Sequence, residues 1–281
     1  MVLDCVHTCR AVALAKAGAD IVLDGIIEPA MVISMPEMDT ITLTLALVAA
    51  LCIGLSKAGF SGISMVSVFL LADLYGAKES VGLGLPLLIL ADLLAYPAFI
   101  KYGSWKPVWR LLAPTMVGIL AGWWMLSWID NDTARRVIGI CILLMVVLQS
   151  SRRLHPEWFD ACVAHRGFGA SAGVVGGFAT MLANAAGPVI QLFLLARRMP
   201  KMELIGVGAR FFLLINIIKV PFGAQLDLIN AESLLINLKV APAVVIGVFG
   251  GRWLVHKVPQ KHFEWMVVIF SIVAGIRLML F

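Results

Sequence analysis

The chain has 281 residues, 61% of them hydrophobic and 14% charged, with a mean hydropathy of +0.96 and a formal net charge of +5. A soluble domain keeps about 25% charged residues, so most of this surface faces lipid, where only helices or closed barrels satisfy their own backbone. Val137–Leu148 and Met266–Ile276 are apolar on all sides, which excludes the alternation of barrel strands. The positive charge sits in short loops between apolar runs, where it sets topology and does not mark a nucleic-acid partner.

Residues 1–34 differ from the rest. Lys16, Asp20, Asp24 and Glu28 recur every four residues, with Val12, Val22, Leu23, Ile26 and Ile27 largely on the other side. That is an amphipathic helix pattern. Two readings stand: a helix lying on a membrane surface, or an over-extended start with Met35 or Met38 as the natural beginning. Lys16, Asp20 and Asp24 interrupt any secretory signal core.

From Ile41 the apolar segments run 41–56, 62–72, 79–100, 108–128, 134–149, 168–182, 187–196, 202–223, 234–255 and 262–281. A spanning helix needs about 20 residues, and most of these qualify, with 134–149 at the short end. The pairs 41–56/62–72 and 168–182/187–196 are too short for two crossings and a turn. Small and polar residues break each pair, Ser56 to Gly62 in the first and Ala183 to Pro188 in the second. Both are expected to be hairpins of half-helices whose breaks approach each other near the bilayer centre. Cys5, Cys9, Cys52, Cys141 and Cys162 form no CxxC pair and no metal spacing, so neither a metal nor a cofactor is expected.

The chain repeats itself. Phe69-Leu70-Leu71-Ala72 returns as Phe193-Leu194-Leu195-Ala196, an offset of 124. In that register Gly82 and Gly84 match Gly206 and Gly208, Asp92 matches Asn216, and Pro97 matches Pro221. After a short insertion, Pro114 and Gly122 match Pro242 and Gly250 at an offset of 128. Charge then orients the halves. Lys101, Lys106 and Arg110, then Arg152, Arg153 and Arg166, then Arg197, Arg198 and Lys201, then Arg252, Lys257 and Lys261 mark cytoplasmic loops. Asp73 and Glu79, Asp130 and Asp132, and Asp227 and Glu232 mark external ones. The expected fold is all-α: an extension over 1–34, and two inverted repeats over 41–149 and 168–281. Each repeat holds one broken hairpin and three spanning helices. Secondary transporters are built this way, with substrate where the breaks meet.

Several residues could carry chemistry. Lys57 lies at the first break, and an ammonium at membrane depth is expensive. Gly59, Phe60, Ser61 and Gly62 follow it, leaving backbone amides free at a half-helix N-terminus, a setting that suits anions. The plain alternative is that Lys57 snorkels from a shallow loop. Asn184, with Gly187, Pro188 and Gln191 beyond it, is either a ligand group beside open amides or the N-cap of the next half-helix. Asn216 and Lys219 share one face of 202–223, with Arg210 further back. Lys219 either faces a cavity or snorkels outward. Asp92 is either a proton relay or the partner of a buried cation. Gly59-Phe60-Ser61-Gly62 also fits a G-x-S-G serine-nucleophile pattern, but no histidine lies mid-segment to activate the serine, so an enzyme is not expected.

The stretch Gly54-Leu55-Ser56-Lys57-Ala58-Gly59-Phe60-Ser61-Gly62 resembles the first signature of the TauE/SafE family of sulfite-exporter-like permeases. Gly177-Phe178-Ala179-Thr180 with Asn184-Ala185-Ala186-Gly187-Pro188 is similar to its second signature, and Asn216-Ile217-Ile218-Lys219-Val220-Pro221-Phe222 to the segment that follows. The resemblance spans about 41–281. It implies a cargo of small anions, sulfite and organosulfonates among them. The expected protein is therefore a multi-pass secondary transporter of the cell inner membrane, an exporter of a small anion with Asp92 for proton coupling. Its expected partners are that anion and the lipid bilayer, and homodimerisation is left open. No GxxxxGK[ST] motif is present, so an ion gradient or the substrate gradient must drive it. The rivals are a passive anion channel, an intramembrane enzyme and a non-transporting structural partner.

Overall fold

The computed structural model describes residues 38–58, 62–154, 167–196, 199–254 and 260–280. The N-terminal extension, Gly59 to Ser61, and the basic residues at 166, 197, 198 and 257 lie outside them. Ten helices make up the described residues, with no strand among them. They are α1 (Thr40–Lys57), α2 (Ser64–Tyr75), α3 (Ala77–Phe99), α4 (Trp105–Trp128) and α5 (Asn131–Leu154), then α6 (Phe168–Ala183), α7 (Gly187–Ala196), α8 (Lys201–Gln225), α9 (Ala231–Leu254) and α10 (Gln260–Leu280). By length and composition α1, α3, α4, α8 and α9 can each cross a bilayer.

Large apolar side chains cover the outside. Val117 and Leu120 on α4, Leu144 and Val147 on α5, and Ile246 and Phe249 on α9 are all exposed. Water would not tolerate so broad an apolar surface, whereas lipid requires it. The tryptophans of α4 are distributed in a telling way. Trp105 and Trp109 are exposed at one end, Trp124 and Trp128 at the other. Tryptophan favours the two membrane–water interfaces, and ~23 residues of helix rise about 34 Å, enough to cross roughly 30 Å of hydrocarbon.

Close helix crossings hold the bundle together. On α4, a Cβ at Gly118 would fall 2.0 Å from the Val174 carbonyl oxygen of α6, and on α6 one at Gly177 would fall 2.1 Å from that of Thr115. The α1–α9 crossing is built alike: a Cβ at Gly54 would meet the Val244 oxygen at 2.3 Å, and one at Gly247 the Leu51 oxygen at 2.5 Å. Small residues let backbones approach where no hydrophobic effect drives helices together in lipid. The packing is also reciprocal. α1 packs on α9 as α6 packs on α4, α3 on α9 as α8 on α4, and α2 on α10 as α7 on α5.

The loops gather at two ends. At one, Asp73 binds Arg135 at 2.9 Å and Arg277 at 3.0 Å, Glu79 accepts from Asn131, and Lys78 donates to the Ile129 carbonyl. Leu228 lies against Gly82 at this same end. At the other, Arg210 donates to the Ile100 and Tyr102 carbonyls, and Arg252 to those of Leu94 and Ala95. The first hairpin starts and finishes at one end, since the Tyr75 hydroxyl lies 3.8 Å from the Met38 sulfur.

Two expectations need correction. The 134–149 segment is not short: α5 spans 24 residues, because its charged ends, Asp132 and Arg135 before and Arg152 and Arg153 after, continue the helix beyond the apolar run. The first arm of the first hairpin is also longer than a half-helix, 18 residues in α1 against 12 in α2. On α3 the Lys57 side chain of the first break contacts Asp92, and the Asn184 side chain of the second contacts the Val81 carbonyl.

The glycine crossings give a contrast test. Gly118→Ala should lower the unfolding midpoint in detergent, by overpacking worth roughly 1–3 kcal/mol. Gly250→Ala should leave it unchanged or raise it slightly, since nothing lies within 4 Å of a Cβ there. Equal midpoints for the two variants, followed by tryptophan fluorescence on heating, would rule out this account of the packing.

Candidate functional site

The two breaks and the two central helices share one line of buried polar groups. Lys57, the last residue of α1, extends across to α3, where its Nζ lies 2.8 Å from Asp92 Oδ1. Its ammonium also sits 4.8 Å from the centre of the Phe212 ring of α8, within cation–π range. Its side chain is only 15% exposed, so Lys57 does not snorkel. Asp92 accepts a second hydrogen bond from Asn216 Nδ2 at 2.8 Å. Its carboxylate is thus held by one cation and one amide, as a buried charge requires.

One turn further along α8, Lys219 is wholly buried. Its Nζ donates to the Thr180 carbonyl at 2.6 Å, the Thr180 hydroxyl at 3.2 Å and Asn184 Oδ1 at 2.5 Å. Asn184 Nδ2 in turn donates to the Val81 carbonyl of α3 at 2.9 Å. The line therefore runs from the end of α1 through α3 and α8 to the second break. Lys219 faces inward and does not snorkel.

Asn184 has a different backbone role from the N-cap alternative. It ends α6 in the left-handed conformation, φ 52°, and its N–H returns to the Thr180 carbonyl at 3.0 Å. Asparagine tolerates this conformation better than most residues. The geometry turns the side chain toward Lys219.

Not every candidate joins the line. Arg210 is buried, and its guanidinium donates to the carbonyls of Ile100, Tyr102 and Gly206, with the Tyr96 and Trp105 rings each 5.9 Å away. It ties the turn after α3 to α8 at the basic end of the bundle. Gly62 adopts φ 100° ahead of α2, while Gly187 opens α7 with nothing near a Cβ position. Gln191 is half-buried on α7. Gly59, Phe60 and Ser61 lie outside the described residues.

Thr180 is a member that residue-by-residue reading of the sequence passed over. The signal was present: at the repeat offset of 124, Thr180 matches Ser56, the neighbour of Lys57. A narrow cleft beside the line is lined by Ser64 and Ser67 of α2, Ser80 and Gly84 of α3, Asn184, and apolar residues such as Ile53. It gives water centres about 10 Å³ of room, about enough for one molecule.

A lipid-facing helical bundle with buried charges between interrupted helices has the layout of a multi-pass membrane transport protein. The model of the family described as sulfite exporter TauE/SafE matches residues 45–278, and the chain belongs to that family. It is a family of transporters, not of enzymes. No curated protein and no solved structure matches the chain at a comparable level.

The ion pair makes a stability prediction. Lys57→Met or Asp92→Asn alone should each destabilise the protein by about 3–5 kcal/mol, because each leaves a buried charge without its partner. The double variant K57M/D92N should recover most of that loss. Thermal unfolding of the four proteins in one detergent reads the cycle, and additive losses in the double variant would contradict a direct pair.

Proposed function

We propose that this protein is a secondary transporter made of two inverted repeats, residues 41–149 and 168–281. It carries a small oxyanion such as sulfite or an organosulfonate outward across the cell inner membrane, coupled to protons through Asp92. One observation carries the reading: Asp92 and Asn216, the residues that match across the 124-residue offset, are hydrogen-bonded to each other inside a buried line of charge. Residues exchanged by a two-fold axis touch only where that axis passes between them. The reciprocal packing of α1 on α9 and α6 on α4 supports the same symmetry.

The charge of the line supports an anion. Lys57, Asp92 and Lys219 together leave one unmatched positive charge at membrane depth, and a bound anion would offset it. Family membership supports the cargo class. The basic end that holds Arg210 and Arg252 is assigned to the cytoplasm by the bias of membrane loops toward lysine and arginine. Lys57, Asn184, Asn216, Lys219 and the hairpin amides would face the anion, and Asp92 would take up and release the coupled proton.

Two measurements test this. In proteoliposomes, sulfite flux should saturate and should accelerate when an imposed pH gradient opposes the anion gradient. Asp92→Asn should retain downhill flux and lose the response to pH. Flux that rises linearly with concentration and ignores pH would establish a channel instead. In intact cells, a cysteine placed at Asp227 should react with an impermeant maleimide and one at Lys106 should not. The reverse labelling would overturn the assigned orientation.

A further inference from the structure

The geometry points to a seat for one singly charged oxyanion in the cleft between α2, α3 and the second break, contacted by Ser64, Ser67, Ser80 and Asn184, with Lys219 behind Asn184 as counter-charge. This rests on the anion-transport reading and specifies its site. At the first break the positive charge is already answered, since Lys57 is joined to Asp92. At the second break it is not. Lys219 has only the Thr180 carbonyl, the Thr180 hydroxyl and the Asn184 side-chain oxygen around its Nζ, three neutral acceptors for its three donors. Among the described residues no carboxylate lies within ion-pair distance of it. Lys219 is thus the lysine of the two without a carboxylate in direct contact.

Asn184 links that charge to the cleft. Its oxygen faces the ammonium, which polarises the amide, and its nitrogen is turned to the α3 side. One of its two N–H donors holds the Val81 carbonyl, so one remains for a ligand. Across the cleft, the Ser67 hydroxyl donates to the Ser64 carbonyl and the Ser80 hydroxyl to that of Ala77, each at 2.7 Å. These are bonds within a helix that a hydroxyl can leave by rotating about one bond. An oxyanion entering here would meet rotatable hydroxyls and an amide, the neutral donors that suit oxygen atoms sharing one charge. A singly charged anion neutralises Lys219. A doubly charged one would bury an excess negative charge, which is costly.

The cleft is narrow as it stands, with about 10 Å³ for water centres. The wall able to open is α2, because glycines with φ 100° stand at both its ends, Gly62 and Gly76. Left-handed glycines permit backbone rotation that other residues resist.

The test uses the purified full-length protein in detergent, titrated calorimetrically near neutral pH with sodium methanesulfonate and, separately, with sodium sulfate at equal ionic strength. Methanesulfonate should bind at least tenfold tighter than sulfate. Ser67→Ala with Ser80→Ala should weaken methanesulfonate about tenfold or more by removing hydrogen bonds to a charged ligand. Ser127→Ala, on the exposed face of α4, should not change it. Lys219→Met should abolish binding, but that change also removes three buried hydrogen bonds, so the milder serine pair carries the decision. Unchanged affinity in S67A/S80A would overturn this seat and leave anion transport standing. Sulfate binding as tight as methanesulfonate would overturn the single-charge selection. Binding of neither probe, together with no sulfite flux in proteoliposomes, would overturn both the seat and the transport reading.

Discussion

An ammonium sealed away from water must find its compensation inside the protein, and this bundle contains two of them. The first, Lys57, reaches a carboxylate. The second, Lys219, hydrogen-bonds only to neutral groups. Both are placed beside a helix end within the bundle. The end of α6 supplies the carbonyl and hydroxyl of Thr180 and the side chain of Asn184. The end of α1 delivers Lys57 itself. The interrupted helices and the polar face of α8 meet this requirement together.

The two stretches of sequence that match at an offset of 124 residues differ in chemistry at one central position. Asp92 stands where the second repeat has Asn216, and the two are in contact. Had both been acids, like charges would face each other in a low dielectric. Had both been amides, Lys57 would lack an anionic partner. The divergence of a matched pair thus creates the asymmetry in charge between the first and second break. Arg210 is a further departure, since the matching position in the first repeat is Pro86.

Much of this was legible in the sequence, for reasons that differ by residue. Helix positions followed from apolar runs, and they failed at α5, where charged residues extend a helix that hydropathy alone truncates. Asp92 and Asn216 were legible as a pair because the repeat aligned them, but the sequence held no sign that they touch, since an offset carries no distance. The two roles of Lys57 were left open because hydropathy gives depth poorly. The rotamer and the carboxylate across the gap decide between them. Ser64, Ser67 and Ser80 carried no signal: small polar residues in an apolar segment read as packing until tertiary structure brings three of them to one cleft.

The exposed tryptophans at the two ends of α4 give the molecule a sense of membrane thickness. Each pair prefers one interface, so the helix registers the distance between the two leaflet surfaces. A thinner bilayer would be met by tilting. α4 cannot tilt alone, because Gly118 and Gly177 lock it against α6 at backbone contact, and α6 carries Thr180 and Asn184 at its far end. A tilt of α4 would therefore carry α6, and with it Thr180 and Asn184, rather than leave them in place.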